Sequence, residues 1–84
     1  ELPGEYIRSL YDDMAARMPS ARGLLHAENW EYADGALHIP MDTICEKHFE
    51  TALRHLEARI RRETGRSCPV HAVPLEQTDA GAGE

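Results

Sequence analysis

Long hydrophobic runs are missing from this sequence. No stretch approaches the roughly 20 apolar residues a membrane-spanning helix needs, and no signal-peptide pattern opens the chain, so no membrane partner is expected. Cysteine is almost absent. Cys45 and Cys68 are too few for a disulfide scaffold and point to a reducing, cytoplasmic setting. An excess of positive charge is lacking too: 9 basic against 15 acidic residues leave a net charge of −6, which argues against a dedicated binder of phosphate backbones. What remains, 42% hydrophobic and 29% charged residues, is the composition of an ordinary globular protein. At 84 residues it makes one small domain. Such a chain buries only about 60% of the surface it exposes when unfolded. Starting at Glu1 rather than Met, it reads as a piece of something larger.

Periodicity and punctuation divide the chain. Ile7, Leu10, Tyr11, Met14, Ala15 and Met18 recur at three- and four-residue steps and predict a helix from about Pro3 to Met18, stopped by Pro19. Ser20 then suits the N-cap of a short helix, about Ala21 to Ala27, with Leu24 and Leu25 turned inward. Asp34-Gly35 between Trp30–Ala33 and Ala36–Ile39 reads as a β-hairpin with a two-residue type I′ turn. In that register Trp30, Tyr32, Leu37 and Ile39 share one face, while Glu31 and His38 share the other. After Pro40, one long helix is predicted from about Thr43 to Thr64. Thr43 and Glu46 have the form of a capping box, with Asp42 as the alternative cap. Its buried stripe reads Cys45, Phe49, Ala52, Leu53, Leu56 and Ile60, and Gly65 takes the position that ends it. A last strand, Cys68 to Val73, should run parallel to the second by a right-handed crossover. The expectation is an α+β two-layer sandwich over residues 1–75, ordered helix-helix-strand-strand-helix-strand with a three-stranded sheet. Residues 76–84 carry no apolar pattern and read as a disordered tail or linker.

Groups that could carry chemistry have plainer readings beside them. Asp42, Cys45, His48 and His55 invite a metal. However, His55 lies two turns beyond His48, roughly 10 Å along a helix, so one ion cannot touch both. Cys45 falls on the apolar stripe, where a free thiol behaves as a small hydrophobe. Neither cysteine has a nucleophile signature around it, and His71 points to the opposite side of its strand from Cys68. Asp12 with Asp13, and Glu28 with Glu31, lie on polar faces where nothing suggests the burial that acid–base work needs. No metal, cofactor or catalytic residue is assigned. From Asp42 to Arg66 six basic residues (Lys47, Arg54, Arg59, Arg61, Arg62, Arg66) face five acidic ones (Asp42, Glu46, Glu50, Glu57, Glu63). Pairs four apart, Glu50–Arg54 and Glu57–Arg61, describe an ion-paired exposed face. Arg59, Arg62 and Arg66 are left as candidates for an acidic or nucleic-acid partner. On the first helix Tyr6, Ile7, Leu10 and Tyr11 give more apolar width than one stripe needs, so they are the candidate protein-binding residues.

The helical pair, the hairpin Asp34-Gly35-Ala36-Leu37-His38-Ile39-Pro40 and the long helix closed by Gly65 resemble the small KH-like domains of bacterial replication proteins. These include the N-terminal domain of the initiator DnaA, the C-terminal module of the clamp-loader tau subunit and the N-terminal domain of the polymerase PolC. Met18-Pro19-Ser20-Ala21 with Leu24-Leu25 is similar to the helix link of the tau and PolC versions. The family often places an aromatic residue shortly after the proline, on a surface that meets the helicase in the initiator. Here Met41-Asp42-Thr43-Ile44 follows Pro40, so that partner does not carry over to Ile44. The resemblance implies a non-catalytic docking module that ties a replication protein to another protein of the replisome. A KH-like single-stranded nucleic-acid binder using Arg59, Arg62 and Arg66 is the alternative.

Overall fold

The computed structural model describes residues 2–75; the segment 76–84, expected to be a tail, lies outside them. Helix α1 runs over Gly4–Arg17 behind Pro3, whose missing N–H is one the first turn would leave unpaired anyway. It ends at Met18, which Pro19 holds in extended geometry while its N–H still bonds the Met14 carbonyl at 2.8 Å. Helix α2 is a single turn, Ala21–Leu24, followed by a 3₁₀ turn at Ala27–Asn29. The predicted seven-residue helix is therefore cut short, and Gly23 with no side-chain cap at Ser20 explains why it does not propagate. Of its two leucines only Leu25 is buried; Leu24 is 51% exposed.

Strands β1 (Glu31–Ala33) and β2 (Ala36–Pro40) form the hairpin in the expected register, Ala33↔Ala36, Tyr32↔Leu37 and Glu31↔His38. Asp34 and Gly35 take φ of 54° and 77°, the left-handed pair that a type I′ turn demands. Strand β3 (Val70–Val73) lies parallel to β2 on its other side, giving the order β1-β2-β3. Both prolines of the sheet sit where no ladder bond is lost. Pro69 precedes β3 and only offers its carbonyl to Leu37 N–H, at 2.9 Å. Pro40 turns its nitrogen toward the β1 side at a level β1 does not reach.

The predicted single long helix is two, α3 (Thr43–His48) and α4 (Glu50–Thr64). The break falls at Phe49, where ψ opens to 8° and the N–H is shared between the Cys45 and Lys47 carbonyls. No proline or glycine causes it; the residue at the bend has a ring that is wholly buried. Asp42 is the cap, its carboxylate accepting from Cys45 N–H at 2.7 Å, so the Thr43–Glu46 capping box does not form. Gly65 closes α4 at φ 76° and bonds the Arg61 carbonyl, as expected for a left-handed terminus.

The two layers meet in one core. Leu10 and Met14 of α1, Leu37, Ile39 and Val70 of the sheet, and Phe49, Leu56 and Ile60 of the α3–α4 segment are essentially without solvent exposure. Trp30 packs edge-on against Tyr11 with ring centres 5.5 Å apart, and the Tyr11 hydroxyl donates to the Leu25 carbonyl. The helices cover the sheet face carrying Leu37, Ile39 and Val70. The face carrying Glu31, His38 and His71 is left open among the described residues. Among the described residues the fold is thus α+β, with four helices and a three-stranded sheet.

Candidate functional site

The first-helix residues singled out from the sequence divide between core and rim. Leu10 is fully buried and Tyr11 is 6% exposed, so these two face inward and give the fold its centre. The extra apolar width is absorbed because α1 packs against α4 on one side and against α2 and the 3₁₀ turn on the other. Tyr6 and Ile7 are half-buried at the edge. The Tyr6 hydroxyl donates to Glu63 Oε1 at 2.6 Å, and the Arg59 guanidinium lies 5.9 Å from the centre of its ring. Burial, together with the charge of Glu63, pushes the Tyr6 phenol up to about 12.

Arg59 is not a free cation. It bonds Asp13 Oδ2 and Glu63 Oε1, both at 3.1 Å, and reaches the Ser9 carbonyl at 3.5 Å. Burial works against its charge, but the Glu63 and Asp13 hydrogen bonds outweigh that and push its pKa up. The same hydrogen bonds, from Tyr6 first and Arg59 second, hold the Glu63 carboxyl below its ordinary value. Arg59 therefore locks α1 to α4. Arg62 reaches Glu63 only through space, and Arg66 makes no side-chain ion pair among the described residues. Of the sequence-level helix pairs neither forms: Arg54 turns to the Val70 carbonyl at 2.9 Å and to Glu57 at 3.3 Å. Glu57 in turn accepts the Val70 N–H at 2.8 Å, so the two side chains cover the start of the β3 edge.

The groups weighed for chemistry stay apart. Cys45 and Cys68 are both free thiols, and burial, aided for Cys45 by the neighbouring Asp42, raises each above the usual thiol value. Asp12 pairs with Arg8 and Arg22, and Asp13 with Arg17 and Arg59. No cluster of three or more metal-ligating side chains occurs among the described residues. An open groove of about 530 Å³ runs between α3–α4 and β3, lined by Glu46, Lys47, Glu50, Leu53, Arg54 and His71. Its polar groups are of mixed sign.

The most exposed large apolar side chain is one the sequence noted only for the aromatic it lacks. Ile44, on the first turn of α3, is 80% exposed. His48 lies one turn further on the same side, and its Nε2 is 3.4 Å from Ser20 Oγ. Ser20 precedes Leu24 by one turn, closed by a Leu24 N–H to Ser20 carbonyl bond of 3.1 Å. The Ser20–His48 contact thus bridges α2 and α3, with the exposed Leu24 and Ile44 each one helical turn away from it. Helical spacing could have placed Ile44 outside the buried stripe. The exposure of Leu24 had no periodic signal, because α2 is too short to show one.

Comparison with protein-family models, curated proteins and solved structures finds no match. No helix of the described residues is long and apolar enough to cross a membrane.

Proposed function

We propose that this chain is a non-catalytic docking domain of a multi-domain bacterial DNA replication protein, held by another protein of the replisome. The observation that carries the reading is Ile44. A β-branched side chain 80% exposed on a capped helix, with Leu24 51% exposed across the Ser20–His48 contact, is apolar surface that a partner removes from water. The replication setting rests on the resemblance of the hairpin, Pro40 and the Gly65-closed helix to the KH-like family, and the element order agrees with that resemblance. Tyr6 and Ile7 stand at a second rim, where they serve α1–α4 packing first.

Isothermal titration of the purified chain with polymerase, clamp-loader and helicase subunits of the same organism tests the reading. One of them should bind, and Ile44→Asp combined with Leu24→Asp should weaken that binding roughly tenfold or more, as truncation of an interface hot spot does. Unchanged binding by the folded variant, or no binding by any subunit, contradicts the assignment. A salt-dependent affinity for single-stranded DNA or RNA, lost on Arg62→Ala with Arg66→Ala, would favour the nucleic-acid alternative instead.

A further inference from the structure

His38 and His71 are opposite one another on the parallel strands β2 and β3, on the sheet face the helices leave open. Their ring centres are 5.7 Å apart and the ring planes are tilted by 38°. A zinc–imidazole bond is about 2.0–2.1 Å long, which puts a bound ion roughly 3 Å from each ring centre. A separation of 5.7 Å between the centres is within the reach of one shared ion.

A second observation concerns which nitrogen is available. His38 Nε2 lies 3.2 Å from the Ala33 carbonyl oxygen. A carbonyl only accepts, so in the neutral ring this nitrogen is the donor and the lone pair lies on Nδ1. Metal-binding histidines are held in this way as a rule: the ring nitrogen that does not ligate donates to a carbonyl or carboxylate, which fixes tautomer and orientation. Here the acceptor belongs to the residue that opens the Asp34-Gly35 turn, so the hairpin itself holds the ring. His71 is exposed, and neither of its nitrogens has a hydrogen-bond or ion-pair partner among the described residues. Glu31, opposite His38 on β1, adds negative charge to the same face.

We propose that His38 and His71 together chelate one borderline divalent transition-metal ion, Zn²⁺ or Cu²⁺, on the open face of the sheet. Imidazole donors select these ions over Mg²⁺ or Ca²⁺, which prefer oxygen. No third ligand side chain joins the pair among the described residues, so the chain supplies two donors. Water or a group from another molecule completes the coordination. The proposal is independent of the docking reading. His26, His48 and His55 do not share it: His48 faces Ser20, His55 faces Asp13, and none of the three has a second histidine beside it.

The test uses the untagged, metal-free chain, titrated with Cu²⁺ and followed by electron paramagnetic resonance, and with Zn²⁺ by calorimetry. One equivalent of each ion should bind, the Cu²⁺ spectrum should show coupling to imidazole nitrogen, and His38→Ala and His71→Ala should each abolish stoichiometric binding. His26→Ala and His48→Ala should bind like the parent. Because His71 is exposed, His71→Ala keeps the fold, which circular dichroism verifies. No saturable binding by the parent, parent-like binding by His71→Ala, or a loss that follows His26 or His48 instead, each overturns the proposal.

Discussion

At the scale of single residues, the contact between Tyr6 and Glu63 ties the first helix to the last across 57 positions of sequence. Its two groups are shifted in opposite directions, and each shift makes stability depend on pH in its own window. The Glu63 carboxyl is held below its ordinary value, so its contribution is present above the unfolded carboxylate range and is lost as the pH falls through the folded pKa. Tyr6 is raised to about 12 from 10.0, so its contribution is complete below pH 10 and is lost as the pH rises toward 12. Thermal melts across pH should show Glu63→Gln destabilised at neutral pH but converging with the parent in acid. Tyr6→Phe should converge with the parent on the alkaline side. Parallel curves at all pH values would show that the pair does not carry this linkage. Arg59, at the centre of the same contact, is why one of the three arginines set aside for a partner is spent inside the fold.

At the scale of elements, the turns carry most of what the sequence discloses. Asp34-Gly35 fixed both the hairpin and its register, because the left-handed conformations at these two positions leave few ways to join the strands. Gly65 did the same for the end of α4. With φ at 76°, Gly65→Ala should cost about 1 kcal/mol from backbone strain alone, since nothing lies within 4 Å of an added Cβ. Chemical denaturation measures that directly. The bend at Phe49 was not legible. An unbroken apolar stripe predicts a straight helix, and no proline or glycine at Phe49 announces the bend. With its ring wholly buried, Phe49→Ala should cost about 3–5 kcal/mol and leave a domain of this size with little net stability. The edge of β3 was equally invisible, because the expected Glu57–Arg61 pair is local whereas the Glu57–Val70 bond is not. Glu57→Ala strips the partner from a buried backbone N–H, a loss of about 1–3 kcal/mol, and uncovers a strand edge. Denaturation and light scattering should register lower stability and greater self-association together; a change in neither would mean the edge needs no cover.

At the scale of the whole molecule, helices shield one face of the sheet and leave the other open, and two different surfaces follow. The helical side carries the exposed Ile44 and Leu24, the open side the His38–His71 pair. Sequence alternation put His38 opposite the core residues, but only the parallel register sets it beside His71. Heteronuclear NMR of the labelled chain, titrated in turn with each of the proposed replisome subunits, tests the proposed docking role most directly. Shift changes should be confined to Leu24, Ile44, His48 and their immediate neighbours, with the core amides unmoved. Changes centred on Arg62 and Arg66, or spread through the core, would contradict it.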